Sequence, residues 1–356
     1  AAADARGLAG KWLITNTRSS AEPFLTFSTR RELREQVWRM WISRGDHPGA
    51  GDNNPVITEI LALRGERAKL LGFATHAHWI LDDTMARTPE ATMALMMRVW
   101  NAAVARVREE VADMRAIADV AIEPWDYRFY AEQVRKARYD LDQNEIKPYL
   151  QLDNIRDAMF WMAQQIYGLV FTRIDDVPVY HPDVTVYEVT RGGSRVGLWY
   201  FDPYARDGKR SGAWMSEYRT QEAFRSPITP IVSNNANFVK GKPGEPVLIS
   251  WDDAVTMFHE FGHALHGMFS DVRYPEFAGT SVPRDFVEYP SQVNEMWGTW
   301  PEVLANYAQH SETGEPMPQD LLDRVLEAEN FNQGYATTEY LAASIIDQAL
   351  HQLGPD

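Results

Sequence analysis

The residues best placed to do chemistry lie between His259 and Glu295. His259 and His263 are four apart in His259-Glu260-Phe261-Gly262-His263. On a helix, residues four apart share a face about one turn from each other, so both imidazoles can reach one ion. Glu260 stands about 100° round the helix from His259 and can lean over a water beside that ion. Two His ligands and such a carboxylate suit hydrolysis, with the ion as Lewis acid and Glu260 as general base. Three set residues in five do recur by chance, and an exposed helix with scattered His is the bland alternative. The surroundings argue against it, because Ala254, Val255, Met257, Phe258, Phe261, Ala264, Leu265 and Met268 are apolar. A buried helix carries His-Glu-His only if something satisfies those groups, and a metal ion does so.

A catalytic site of this kind needs a third protein ligand and one open position. His266 continues the same helix, but His259 to His266 spans about 10 Å at 1.5 Å per residue, too far for one ion. His266 is therefore expected to pack, or to support the ligands from behind. Carboxylates further on are better candidates. Pro275 and Gly279 break the helix, and Asp285 opens a new helical segment running to Glu295. Glu288 and Glu295, seven apart, share a face of it. Spacing leaves either as the third ligand, with Asp285 a weaker choice.

The elements that must position these groups fall into two patterns. Residues 1–168 read as stacked amphipathic helices, a scaffold. Thr88-Pro89-Glu90 is a capped start with Pro at the first position, and Trp125–Tyr139 and Asp153–Tyr167 have helical spacing. From Leu169 the pattern turns β-rich. Val184–Val189 and Val196–Phe201, joined by Arg191-Gly192-Gly193-Ser194, read as a hairpin. Further strands are expected around residues 211–215 and 228–232. Ser250 caps the helix that carries the two His, and Asp252 and Asp253 complement its dipole. The region 169–356 is thus the part that carries the chemistry.

Composition narrows the partners. A formal net charge of −15 disfavours nucleic acid or an anionic membrane surface. With no cysteine, disulfides and Cys-ligated metals are excluded, and any ion is held by His and carboxylates. That absence suits the cytoplasm and the bacterial periplasm equally. There is no apolar run long enough to span a bilayer. The chain opens without an initiator Met, so its start is expected to be a processed or cut end.

Three segments together carry a resemblance. His259-Glu260-Phe261-Gly262-His263-Ala264-Leu265-His266, then Gly279-Thr280, then Asp285-Phe286-Val287-Glu288-Tyr289-Pro290-Ser291-Gln292 resemble the thimet oligopeptidase family of zinc metallopeptidases. Trp125-Asp126-Tyr127, Gly212-Ala213-Trp214-Met215, Asn237-Phe238 and Phe331-Asn332-Gln333-Gly334-Tyr335 extend it over essentially the whole chain. The likeness is strongest to the bacterial peptidyl-dipeptidase (dipeptidyl carboxypeptidase) branch. It implies one Zn2+ held by His259, His263 and Glu288, with Glu260 activating water. The implied fold is mainly α, a zincin-like (gluzincin) two-lobed helical ellipsoid with a deep channel and a small β-sheet beside the active site.

The implied substrates are short unstructured peptides that lose C-terminal dipeptides. They would add as a strand to the segment near Asn235 to Phe238, making Asn237 and Phe238 substrate contacts. Asp285, Gly279, Thr280, His266 and Glu295 are then expected beside the substrate or behind the ligands. An endo-acting oligopeptidase of the same family is the competing enzyme reading. A non-catalytic peptide-binding module is the competing class, and Glu260 argues against it. The family's oxyanion-stabilising Tyr is expected beyond Asp356. The chain is therefore expected to be a fragment, whose partner would be the remainder of the same polypeptide. Tyr335 and Tyr340 are expected to be structural.

Overall fold

The computed structural model describes Ala3 and residues 7–16, 18–139, 143–206, 208–241 and 244–354. Contacts divide the chain into two compact units, Ala1–Leu141 with Arg324–Asp356, and Asp142–Asp323. The expected division after residue 168 marks where helix gives way to strand. The unit boundary falls earlier because the helix before the first strand packs on the sheet.

In chain order the helices are α1 (Arg18–Phe27), α2 (Arg31–Ile42), α3 (Asn54–Leu70), α4 (His76–Leu81), α5 (Pro89–Ile117), α6 (Tyr127–Tyr139), α7 (Gln143–Ile146) and α8 (Leu152–Tyr167). Five strands follow: β1 (Leu169–Ile174), β2 (Thr185–Arg191), β3 (Ser194–Tyr204), β4 (Trp214–Arg219) and β5 (Ile231–Phe238). The chain then returns to helix in α9 (Trp251–Met268), α10 (Glu288–Glu295), α11 (Pro301–Tyr307), α12 (Gln319–Ala328) and α13 (Gln333–His351). The protein is mainly helical with one small sheet, as the sequence patterns predict. Among the described residues no helix is long and apolar enough to cross a membrane.

The first unit is held by buried polar links as well as apolar packing. Thr88 caps α5, its hydroxyl accepting from the Ala91 N–H at 3.2 Å. The N-terminus of α13 is satisfied from α5, where the Glu110 carboxylate accepts from the N–H groups of Gly334 and Tyr335 at 2.9 Å each. Tyr335 stacks on Tyr127 with ring centroids 3.9 Å apart, the structural role expected of it. Asp126 and Arg34 are almost fully buried, 0% and 2% exposed, and pair at 2.7 Å. Arg31 adds a second contact to Asp126 at 2.8 Å.

Burial works to raise the Asp126 carboxyl, but the hydrogen bonds from Arg31 and Arg34 outweigh it and hold it below the usual range. Such a group stabilises the fold above its unfolded value of about 4 and ceases to do so as pH falls through its lower folded value. Asp126→Asn is expected to remove on the order of 2 kcal/mol at neutral pH. It should also flatten the fall in thermal midpoint between about pH 4 and pH 2. Thermal unfolding of both proteins across that range checks this, and parallel pH profiles would refute it.

In the second unit the strand order is β1-β2-β3-β5-β4. The predicted hairpin is β2-β3, antiparallel, turning through Gly192 and Gly193, both at positive φ. The chain then runs out to β4 and returns as β5 between β3 and β4, parallel to β3 and antiparallel to β4. Of the segment Asn235 to Phe238, expected to present the sheet edge, only Asn235 has a partner in β4; Ala236, Asn237 and Phe238 run past the end of that ladder. From Ile231 to Asn235 β5 is paired on both sides, and over that stretch the free edge belongs to β4. The burial pattern gives the reason: β5 is almost wholly buried, whereas β4 is half-exposed and ends in Glu217, Tyr218 and Arg219.

Both α8 and α9 pack on this sheet region. Phe160 of α8 stacks on Phe171 of β1 at 4.3 Å, and Phe261 of α9 meets Trp199 and Phe171 at 5.6 Å each. Phe261 lies about 200° round α9 from His259. Its burial in the aromatic core therefore turns the His-bearing face away from the sheet and toward α10.

Candidate metal centre

Helix α9 begins on the reciprocal cap expected at Ser250. The Ser250 hydroxyl accepts from the Asp253 N–H, and the Asp253 carboxylate accepts from the Ser250 N–H, both at 3.1 Å. With the start set, helical geometry puts His259, Glu260 and His263 where the sequence places them. The two imidazoles are 4.9 Å apart between centroids.

The third group comes from α10, which begins at Glu288 itself, while residues 284–287 form the turn before it. Glu288 Oε2 lies 3.1 Å from His259 Nε2 and 3.1 Å from His263 Nε2. Among the described residues these three form the one His/Cys/Asp/Glu group whose ligand atoms all lie within 4.8 Å of one another. Asp285 and Glu295 are not part of it.

Glu295 has a different task. His259 Nδ1 lies 2.6 Å from Glu295 Oε1, and since a carboxylate only accepts, Nδ1 carries the proton. That hydrogen bond fixes the tautomer that leaves the Nε2 lone pair facing Glu288 and His263. Glu288 and Glu295 share a face of α10, as their spacing predicts, but approach opposite nitrogens of one imidazole.

The arrangement fits a divalent ion. Ligands 2.0–2.1 Å from a tetrahedral zinc stand about 3.3 Å apart, close to the two 3.1 Å separations found here. Burial pushes the His263 imidazole below its ordinary value, favouring the neutral form a metal requires. Burial works to raise the Glu288 carboxyl, but the Ser291 hydroxyl, 3.0 Å from Oε2, and the two imidazoles outweigh it and keep the group ionised. His263 Nδ1 and Glu260 Oε2 are buried without a hydrogen-bond partner among the described residues. Glu260 is pushed up to about 7, chiefly by burial, with His259 opposing and Glu288 adding to the shift. A carboxyl poised there can take and return a proton near neutral pH.

Close approach of α10 to α9 depends on Gly262. A Cβ at this position would lie 2.7 Å from Ser291 Cα, 2.8 Å from Asn294 Cβ and 3.1 Å from Pro290 O. A glycine in mid-helix costs about 1 kcal/mol against alanine, and that cost was a legible sign of a packing demand.

The remaining predicted site residues are dispersed. His266 Nδ1 is buried without a partner, its ring faces Phe286 at 6.5 Å, and it is outside the ligand group, as its spacing requires. Gly279 has φ +52° and abuts Gly267 and the Glu217 carboxylate, its N–H donating to Ser270 Oγ at 3.0 Å. Thr280 follows it in the same turn. The Asn237 side chain donates to the carbonyls of Arg210 and Gly212 at 2.8 and 2.7 Å, so it is occupied in holding a loop. Phe238 is buried. Three residues beside the site were not singled out from the sequence: Ser291, and the buried asparagines Asn234 and Asn294, which bond to the backbone of α9.

Residues 24–355 match the model of peptidase family M3. The chain belongs to peptidase family M3. It is 41% identical over 359 residues to a dipeptidyl carboxypeptidase of Escherichia coli (strain K12), covering 99% of this chain and 53% of that protein. Against an oligopeptidase A of Salmonella typhimurium it is 35% identical, covering 96% and 52%. A thimet-like oligopeptidase of Dictyostelium discoideum is 28% identical, covering 85% and 48%. The chain thus spans about half the length of the curated relatives it matches. Membership of M3, a metallopeptidase family, implies a metal, and among the described residues His259, His263 and Glu288 form the group able to hold one.

Proposed function

We propose that the protein is a zinc-dependent peptidase that releases dipeptides from the C-termini of short unstructured peptides. The observation that carries the reading is one carboxylate oxygen placed 3.1 Å from two imidazole nitrogens, beside a buried carboxyl on the same helix. In this gluzincin-like reading His259, His263 and Glu288 hold the ion, and Glu295 orients His259. Zinc, when bound, supplies Lewis acidity that polarises the scissile carbonyl and acidifies water. The Glu260 carboxylate accepts the proton of the attacking water and returns it to the leaving amine. Burial of its Oε2, with no protein hydrogen-bond partner among the described residues, leaves that oxygen to meet the water. The peptide is proposed to lie along the free edge of β4, where backbone hydrogen bonds give sequence-tolerant binding.

The dipeptidyl carboxypeptidase relative supports release of dipeptides, while the oligopeptidase A relative keeps endo-acting cleavage as a second reading. Incubation with zinc and matched peptides bearing free or amidated C-termini separates them by mass spectrometry. Dipeptides released from the free form alone are expected, and chelation should abolish that release. Equal cleavage of both forms would favour the endo-acting reading. No metal-dependent cleavage of either would overturn the proposal.

A further inference from the structure

We propose that Asn234 and Asn294 are positioning residues that clamp α9 from two sides and so hold His259 and Glu260 in register with Glu288. This inference rests on the functional reading above only for its consequence, since the clamp itself is a matter of geometry. Asn294 Nδ2 of α10 donates to the carbonyl of Phe258 at 2.6 Å. Asn234 Nδ2 of β5 donates to the carbonyl of Glu260 at 2.5 Å. The two acceptors bracket His259. They are two residues apart, about 200° round the helix, so the bonds arrive from nearly opposite directions.

In mid-helix a carbonyl accepts from the N–H four residues on, and its second lone pair is usually unused. Here that lone pair takes a side-chain amide at both positions. Each bond resists sliding of the segment along its axis, and the pair resists rotation about it. Rotation matters because the two imidazoles and the Glu260 carboxyl all project from this one stretch of helix.

The clamps are themselves anchored. Asn234 Oδ1 accepts from the indole N–H of Trp199 at 2.7 Å, which leaves its Nδ2 as the donor. Trp199 is fully buried, so α9 is tied through Asn234 to the aromatic core on the sheet. Asn294 lies one residue before Glu295 and six after Glu288, on the helix that supplies both carboxylates. Movement of α10 is thereby coupled to movement of α9.

Both asparagines are buried, 5% and 3% exposed. At position 294 an apolar residue of similar size would bury without needing a partner, whereas at position 234 it would also strand the buried Trp199 indole N–H; for Asn294, fold stability alone gives little reason for an amide. A demand for fixed placement of the helix does.

The test uses Asn234→Leu, Asn294→Leu and the double variant, with Asn235→Leu as a control. Asn235 is equally buried but bonds to Trp214 and Ser233, not to α9. Backbone amide exchange of the 258–266 segment in metal-free protein reads the clamp directly. It is expected to quicken about tenfold or more in the two clamp variants, and to stay at the parent rate in the control at a matched thermal midpoint. Zinc affinity by chelator competition is expected to fall about 10- to 100-fold, the usual scale for residues supporting metal ligands. The absorption bands of the cobalt-substituted protein should shift with it. Asn294→Gln, which keeps the amide, is expected to recover part of the loss.

Exchange of 258–266 that is unchanged, or that rises equally in Asn235→Leu, would overturn the clamp. A parent chain that binds neither zinc nor cobalt would instead overturn the functional reading, and the exchange data would still decide the clamp.

Discussion

Glu260→Gln is expected to lower kcat for peptide hydrolysis by about 10²- to 10⁴-fold, the range spanned by loss of a general acid–base group. Gln has nearly the same shape, so zinc content and thermal midpoint should stay close to the parent. What it lacks is a site that takes a proton. In the protein that site is set up by burial: α9 holds the carboxyl against the sheet with Oε2 out of solvent, and the group is pushed up to about 7. KM should change little, because Glu260 is proposed to meet the attacking water and not the peptide backbone. Measuring kcat, KM and bound zinc on the same preparation distinguishes loss of a base from loss of the metal. Undiminished hydrolysis in a zinc-loaded Gln variant would refute the role assigned to Glu260.

The second large effect comes from a residue with no side chain. At an exposed helix position, Gly→Ala would stabilise by about 1 kcal/mol. At Gly262 the sign is expected to reverse. The new methyl would stand 2.7 Å from Ser291 Cα and 3.1 Å from the Pro290 carbonyl, backbone atoms that cannot rotate away. Overpacking of this kind costs about 1–3 kcal/mol, which outweighs the propensity gain. The chemical consequence is larger than the stability loss. Relief of the clash requires α10 to move off α9, and α10 carries Glu288, Ser291, Asn294 and Glu295 together. A displacement near 1 Å is enough to cost about 10²-fold in turnover. Zinc affinity should fall in parallel, because the His–Glu288 separations of 3.1 Å would open. Chelator competition and thermal unfolding of Gly262→Ala check both effects. A variant with raised thermal midpoint and unaltered zinc affinity would show that the two helices do not need this contact.

These two residues also mark different depths of legibility. Glu260 could be assigned from local spacing, since a helix of 3.6 residues per turn places it beside His259 in any fold that keeps the helix. Gly262 was visible as an oddity, a flexible residue inside a helix, but its partner was not. Asn234 and Asn294 carried no local signal. A buried asparagine in a strand or short helix reads as a polar residue of unknown orientation until its acceptor is known.

The choice between Glu288 and Glu295 shows the same limit from another side. Both lie on one face of α10, and both reach His259, one at Nε2 and the other at Nδ1. Their spacing follows from helical geometry. Which of them also faces His263 depends on how α10 crosses α9, and that is decided where Gly262 meets Ser291. The family resemblance pointed to Glu288, and the geometry places Glu288 with both imidazoles.

By itself the sequence determined what is periodic and local: the pairing of His259 with His263, the position of Glu260, the caps at Thr88 and Ser250, and the β2-β3 hairpin. It also excluded thiolate ligands, since there is no cysteine. Tertiary structure alone decided the rest. It paired the first part of β5 between β3 and β4, recruited β1 as a strand, and gave the Asn237 side chain the carbonyls of Arg210 and Gly212 as partners. It also set α10 against a glycine so that one carboxylate reaches two imidazoles. The physical reason is range. Backbone periodicity and capping act over a few residues, whereas strand order and helix crossing depend on packing between segments far apart in the chain.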